Sequence, residues 1–225
     1  MNKLSSKSKH SSEIKIPINY ITLEGILTIP EGAKGIVVFV HGSGSSRCSS
    51  RNQYVAQELQ KGDLGTLLFD LLTVEEERID MITSHLRFDI DLLANRLISV
   101  TKWILSNSDT KKLKIGYFGA STGAAAALIA AKEQPAVKAI VSRGGRPDLA
   151  EKVLPYVRAP TLFIVGGEDS QVLKVNQWAL DKLKAEIKEL NIVPGATHLF
   201  EEPGTLEQVA NLSGDWFRKY LLETE

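Results

Sequence analysis

Cysteine is nearly absent from this sequence, since Cys48 is the only one among 225 residues. One thiol can form neither an internal disulfide nor a cysteine-rich zinc site, and such a chain is typical of a reducing compartment. Long apolar runs are missing too. The longest, residues 124–131, is far below the roughly 20 residues of a membrane-spanning helix. We therefore expect a cytoplasmic protein without a disulfide, metal site or membrane anchor.

An excess of either charge is also missing, because 27 Lys and Arg residues balance 27 Asp and Glu residues. Nucleic-acid binders normally carry a basic surface, so no nucleic-acid partner is expected. With 43% hydrophobic and 24% charged residues, the composition is that of an ordinary globular protein. Residues 1–12 are mostly Ser and Lys and contain no apolar segment, so they predict a flexible tail rather than a secretory signal. One domain is expected over residues 13–225.

Short β-rich runs alternate with helical patterns after this tail. Residues 13–18 and 20–29 predict two tightly joined strands, an antiparallel hairpin at a sheet edge. Five apolar runs predict strands buried on both faces of a parallel sheet, and a last short strand follows. These six strands are expected at residues 35–40, 65–69, 113–118, 137–141, 160–165 and 190–193. Helical patterns cover residues 52–60, 89–105, 122–132, 172–185 and 206–222. The alternation predicts an α/β protein with a mostly parallel sheet and helices on both faces.

A glycine-bracketed serine follows the third of the buried runs. The sequence reads Gly119-Ala120-Ser121-Thr122-Gly123, and an alanine-rich helical pattern begins at once. A strand, a G-x-S-x-G turn and a helix in direct succession are the context of a nucleophile elbow, in which the serine hydroxyl faces the cleft. We therefore predict Ser121 as a nucleophile. The N–H of Thr122, at the helix N-terminus, is the expected donor to a developing oxyanion.

An acid and a histidine follow later, each just past a predicted strand. Asp169 ends the turn Gly166-Gly167-Glu168-Asp169, and His198 ends the segment Pro194-Gly195-Ala196-Thr197-His198. The chain order of nucleophile, acid and histidine is that of α/β-hydrolases, and strand carboxyl ends are where ligands gather in such sheets. His198 is expected to take the proton of Ser121, and Asp169 to orient the imidazole. Glu168 is the competing carboxylate.

The loop after the first buried strand reads His41-Gly42-Ser43-Gly44-Ser45-Ser46. Its small residues allow backbone amides to turn inward, so the N–H of Ser43, or second that of Gly44, is expected to complete the oxyanion hole. His41 is expected to brace this loop. No third glycine follows at the spacing of a dinucleotide-binding turn, and G-K-[ST] does not occur in the chain. We therefore expect no cofactor.

The H-G-S-G-S-S, G-A-S-T-G, G-G-E-D and G-A-T-H segments together resemble an α/β-hydrolase of the dienelactone-hydrolase-like group, over nearly the whole chain after the tail. The resemblance implies a serine hydrolase that cleaves a small ester, thioester or lactone through an acyl-enzyme. Dienelactone hydrolases proper have a cysteine where this chain has Ser121, so lactone specificity is not carried over. Residues 142–159 are too few for the large lid of many lipases. Residues 69–77 and 143–150 also resemble a bacterial branch found fused to phosphoribosyltransferase domains.

Four arginines follow predicted strand ends on the side of the expected cleft. They are Arg47, Arg51, Arg143 and Arg146. An arginine suits a carboxylate or phosphate, so these residues are candidates for binding an anionic group of the substrate, with Arg143 first. The alternative is that they pair locally, with Asp148 and Asp169 as partners, or face solvent.

Two further functions remain open at this level. The chain could be a non-catalytic member that binds a small molecule and has only inherited the triad. It could also be an acyltransferase or peptidase, because fold and triad set the mechanism while the pocket walls choose the acyl acceptor.

Overall fold

Eight strands form one sheet in the computed structural model, which describes residues 9–223. In chain order they are β1 (Lys9–Ile18), β2 (Ile21–Pro30), β3 (Gly35–Val40), β4 (Leu64–Phe69), β5 (Lys114–Ala120), β6 (Val137–Arg143), β7 (Thr161–Gly166) and β8 (Lys188–Val193). Their order across the sheet is β1-β2-β4-β3-β5-β6-β7-β8. β2 pairs antiparallel with β1 and with β4, and the other neighbours are parallel. The predicted mostly parallel sheet with an antiparallel edge hairpin is confirmed.

The edge hairpin begins earlier than the sequence pattern indicated. β1 pairs with β2 from Lys9, opposite Pro30, to Ile18, opposite Ile21. Residues 9–12 therefore belong to a strand and not to the predicted tail, and residues 1–8 lie outside the described residues. The pattern of apolar residues did not predict residues 9–12 as part of the strand, because backbone pairing with β2 extends this edge strand. From Ser11 onward, the first buried side chain is that of Ile16.

The described residues form six α-helices, which lie around the sheet. They are α1 (Ser50–Lys61), α2 (Val74–Thr83), α3 (Ile90–Ser106), α4 (Thr122–Glu133), α5 (Ser170–Lys182) and α6 (Thr205–Phe217), the last followed by a π-helical turn over Arg218–Leu222. Buried residues of α3, α4 and α5 share one apolar cluster, and those of α1 and α6 share the other. β3 alternates between the clusters, with Val38 in the first and Phe39 in the second. Among the described residues no helix has the length and apolar character needed to cross a membrane.

Besides a 3₁₀ turn at Leu86–Phe88, two helical segments were not expected from the sequence. α2 lacks an apolar stripe, and Asp80 is its only buried residue. Its start could have been found from Thr73 and Glu76, which form a capping box: the Thr73 hydroxyl accepts from the Glu76 N–H while the Glu76 carboxylate accepts from the Thr73 N–H. The second segment, Pro147–Tyr156, forms 3₁₀ turns between β6 and β7 with a kink at Ala150.

Candidate active site

Ser121 lies in the sharp turn between β5 and α4. Its backbone has φ 51° and ψ −122°, a strained conformation for a residue with a side chain. The flanking glycines make this turn sterically feasible. A Cβ at Gly119 would lie 2.5 Å from the Cα of Ala124, and one at Gly123 would lie 2.2 Å from the carbonyl oxygen of Val40. Strand, strained serine and helix thus have the geometry of a nucleophile elbow.

The turn after β6, residues 143–146, lies between the serine and the predicted histidine; we call it the β6 turn. The N–H of Ser121 donates to the carbonyl of Arg143 at 3.2 Å, and the N–H of Arg146 donates to the carbonyl of Ser121 at 3.1 Å. Gly144 has φ 53°, and a Cβ there would come within 3.4 Å of Cε1 and 3.5 Å of Nδ1 of His198. One short turn therefore contacts both Ser121 and His198.

His198 and Asp169 are in direct contact. Nδ1 of His198 lies 2.6 Å from Oδ2 of Asp169, and both side chains are partly buried. A hydrogen bond from Nδ1–H to the carboxylate leaves Nε2 free to accept a proton. Glu168, the competing carboxylate, is exposed, and its N–H donates to the carbonyl of Ala196. The structure therefore brings Asp169, rather than Glu168, to the imidazole.

Residues 41–46, here called the β3 loop, lie against the elbow. A Cβ at Gly42 would be only 3.0 Å from the Cβ of Ser121 and 3.7 Å from its Oγ. The N–H of Ser43 donates to Oγ1 of Thr122 at 2.9 Å. Gly44 follows with φ 69°. The amide of Ser43 thus reaches the elbow, as expected of an oxyanion-hole donor, but a side chain accepts its hydrogen bond.

His41 braces the β3 loop, as its position predicted. Its Nε2 accepts a hydrogen bond from the N–H of Leu71 at 3.1 Å, and its Nδ1 lies 3.0 Å from the carbonyl oxygen of Gly42. Burial lowers the pKa of His41, against smaller opposing effects of the Gly42 carbonyl and of Asp70 and Glu77. The neutral form with a proton on Nδ1 satisfies both contacts.

A solvent-open cleft adjoins the β3 loop. Besides that loop, its lining includes Leu71 and Leu72 after β4, Glu77 and Asp80 of α2, and Arg87. Sequence reasoning missed Arg87, whose Nε lies 2.5 Å from Oδ2 of buried Asp80. Its Nη1 is 3.6 Å from where a Cβ of Gly44 would be. No sequence motif distinguished Arg87, which lies in a 3₁₀ turn over Leu86–Phe88 and is bonded to Asp80 of the unexpected helix α2.

The four arginines proposed for substrate binding do not present free guanidinium groups to this cleft. Three are paired with carboxylates: Arg47 with Asp70 and Glu24, Arg51 with Glu201, and Arg146 with Asp148. Arg143 is only 6% exposed and lies inside the protein. The alternative of local pairing thus describes Arg146 and Asp148, whereas Asp169 pairs with His198 instead.

The described part of the chain contains no cluster of side chains suited to binding a metal ion. No three His, Cys, Asp or Glu side chains there could hold a metal ion together. Cys48 is exposed and unpaired with another cysteine.

Known proteins match this chain over most of its length, and the dienelactone hydrolase family matches residues 23–218. The chain belongs to the dienelactone hydrolase family. The crystal structure of a dienelactone hydrolase from Anabaena variabilis ATCC 29413 is 57% identical in sequence and superposes with a TM-score of 0.93, covering 95% of this chain and 99% of that one. The expected family and the expected α/β-hydrolase fold are therefore confirmed, and the chain is a member of a hydrolase family.

Two other matches define the limits of this similarity. A putative phosphoribosyl transferase of Mycobacterium tuberculosis H37Rv is 56% identical over 210 residues, which are 93% of this chain and 46% of that protein. The chain thus spans about half the length of the curated relatives it matches first. Est1E from Butyrivibrio proteoclasticus covers 92% of this chain with a TM-score of 0.77 but 15% identity, so it supports the fold alone.

Proposed function

We propose that this protein is a serine hydrolase that cleaves a small ester, thioester or lactone, with Ser121, His198 and Asp169 as its catalytic triad. The observation that carries the proposal is the 2.6 Å contact between Nδ1 of His198 and Oδ2 of Asp169 beside the strained elbow of Ser121. This contact orients the imidazole so that Nε2 can serve the serine hydroxyl. Retaining a strained serine is costly, which favours a catalytic member over one that only binds a ligand.

The chemistry follows from these roles. Oγ of Ser121 attacks the carbonyl carbon of the substrate while Nε2 of His198 takes its proton, and the carbonyl electron pair moves onto the oxygen. The tetrahedral intermediate collapses to an acyl-enzyme as the leaving alcohol or thiol takes the proton from His198. Water then attacks the acyl-enzyme by the same sequence and releases the acid. Asp169 holds the imidazole and stabilises its charged form.

Two backbone amides would hold the oxyanion. Thr122 is the first residue of α4, so its N–H has no carbonyl acceptor within the helix. The helix dipole also favours negative charge at this position. The N–H of Ser43 supplies the second hydrogen bond by exchanging Oγ1 of Thr122 for the oxyanion. Gly44 is the alternative donor in the same loop.

The cleft beside the β3 loop is small, which favours a small acyl or alcohol group, although Ser121 and His198 are not among its lining residues. The four arginines raised an anionic substrate as one alternative, but three are already paired with carboxylates and Arg143 is buried. We therefore propose a substrate that needs no anionic group. We also keep the cytoplasm as the proposed location, since the exposed thiol of Cys48 fits a reducing compartment.

The test is a chain-length series of p-nitrophenyl esters with the wild type and Ser121→Ala. The wild type should turn over short esters best, and Ser121→Ala should lose turnover on the order of a million-fold, as such nucleophile deletions do. Ser106→Ala is the control, because Ser106 is an exposed serine at the end of α3. Wild-type activity in Ser121→Ala would overturn the proposal. Adding amine or alcohol acceptors to the same assay separates hydrolysis from acyl transfer.

A further inference from the structure

Within residues 9–223, Arg143 is a buried cation without a carboxylate partner. Its side chain is 6% exposed, its Nη2 makes only a long hydrogen bond of 3.4 Å to Oδ1 of Asn52, and its Nε has no partner. Burial, and then the nearby charge of Arg51, lower the pKa of Arg143 to about 10. Burying an unpaired charge opposes folding, so this arginine calls for an explanation other than stability.

The guanidinium of Arg143 lies beneath the ring of Phe200. The distance from its central carbon to the ring centroid is 5.7 Å, within the range of a cation–π contact. Phe200 comes two residues after His198, is 1% exposed, and has the strained φ of 57°. A neighbouring contact holds the same loop, since Nη1 of Arg51 lies 3.0 Å from Oε1 of Glu201. Arg143 thus contacts the loop that carries His198 through the ring of Phe200.

The backbone of Arg143 is part of the β6 turn, which contacts the rest of the proposed triad. Its carbonyl accepts the N–H of Ser121, and Gly144 packs against the imidazole of His198. On the third side, Nδ2 of the fully buried Asn176 donates to the carbonyl of Gly145 at 2.9 Å. Asn176 belongs to α5, the helix that begins directly after Asp169. A single turn therefore joins the elements that carry all three residues.

Resting on the proposed function, we propose that Arg143 is a positioning residue whose guanidinium, stacked under Phe200, fixes the His198 loop against the β6 turn and keeps Nε2 of His198 aligned with Oγ of Ser121. This role replaces the sequence-based expectation of Arg143 as a substrate contact, because its guanidinium is enclosed by Phe200 and Asn52. Misplacement of a catalytic group by about 1 Å can cost about a hundredfold in rate, so such a contact is valuable even where it opposes stability.

The experiment compares Arg143→Met, Arg143→Lys and Phe200→Leu with the wild type, with Arg158→Met as control. Arg158 is exposed just before β7, at the opposite end of that strand from Asp169. Arg143→Met should lower kcat by about 10- to 100-fold with KM within about twofold, because the side chain does not touch substrate. Its Tm should equal or exceed that of the wild type, since an unpaired buried charge is gone. Arg143→Lys, which keeps the cation, should recover kcat to within about fivefold of the wild type.

Two further readouts separate positioning from a purely structural role. The double variant Arg143→Met with Phe200→Leu should be no slower than the slower single variant, because both break one contact. Hydrogen exchange of residues 197–202 should quicken in both single variants, and this readout does not depend on any enzymatic activity.

Several outcomes would overturn the inference. Wild-type kcat in Arg143→Met would do so, as would a joint loss of kcat and Tm without rescue by lysine. A rise in KM alone would return Arg143 to substrate binding. These results differ from failure of the proposed function, which would be turnover in the wild type that does not depend on Ser121. Unchanged exchange of residues 197–202 would reject the positioning role in either case.

Discussion

The two halves of the proposed site differ in how completely they are assembled. In the histidine half, His198 already contacts Asp169 at 2.6 Å, and the β6 turn packs against the imidazole. In the oxyanion half, the N–H of Ser43 donates to Oγ1 of Thr122 instead of facing an open position. The contact between His198 and Asp169 is thus already formed, whereas the Ser43 N–H that we propose as an oxyanion donor is occupied by the side chain of Thr122. Substitutions in the first half should therefore be far more damaging than those in the second.

The largest effect is expected from Asp169→Asn. The NH2 group of asparagine can donate to Nδ1 of His198, which favours the tautomer with the proton on Nε2, and kcat should fall by about 10⁴-fold because Nε2 can then no longer accept the serine proton. Glu168→Gln is the matched control, because Glu168 is adjacent and exposed, and it should stay within about twofold of the wild type. Steady-state kinetics on a short p-nitrophenyl ester measures both. A harmless Asp169→Asn together with a crippled Glu168→Gln would reassign the acid to Glu168.

A smaller effect of opposite sign is expected from Thr122→Val. Removing the hydroxyl releases the N–H of Ser43 before the reaction, so kcat/KM should rise about fivefold, the equivalent of about 1 kcal/mol. The same unpaired amide should lower the free energy of unfolding by about 1 kcal/mol. Thr122→Ser keeps the hydroxyl and should change neither quantity. A tenfold or greater loss of kcat/KM in Thr122→Val would show instead that the hydroxyl itself donates to the oxyanion.

The smallest effect on activity, but a distinct one on stability, is expected from His41→Asn in the oxyanion half. Burial lowers the pKa of His41 in the folded protein, so the unfolded chain takes up a proton first as the pH falls below the ordinary value of 6.5. The contribution of neutral His41 to the free energy of unfolding is therefore fully present above pH 6.5. It is lost as the pH falls below that value, by at most about 1.4 kcal/mol per pH unit.

Urea unfolding between pH 7.5 and pH 5 checks this prediction. His41→Asn should lose less stability over that interval than the wild type, and the exposed His85→Asn should behave like the wild type. Equal slopes for His41→Asn and the wild type would contradict the bracing role of neutral His41.

Much of the fold was predictable from sequence because its central strands are buried on both faces and its main helices carry apolar stripes. β3 and α3 begin within a residue of the expected positions for this reason. α2 was not predictable from hydrophobicity, since a helix that buries only Asp80 leaves no apolar period. The same absence concealed Arg87, which this part of the chain delivers to the cleft.

The orientation of side chains was the least predictable part of the site. The strand ends indicated that Ser121, Asp169 and His198 share one edge of the sheet, and the structure places Asp169 against His198. The position of Arg143 at the end of β6 suggested a rim residue. In β6, however, Ala139 and Val141 point into the apolar cluster that contains Phe200, and Arg143 continues that alternation. The alternation of residues along a strand tells which face of the sheet a side chain lies on, but not how deeply that side chain is buried.

Reaction with a fluorophosphonate, followed by mass spectrometry of the digested protein, tests the central claim most directly. The reagent phosphonylates an activated serine and leaves a stable adduct. We expect one adduct per chain, on the peptide containing Ser121, with labelling lost in Ser121→Ala and slowed in Asp169→Asn. An active wild-type enzyme that carries no adduct on Ser121, or that is labelled at another serine, would contradict it.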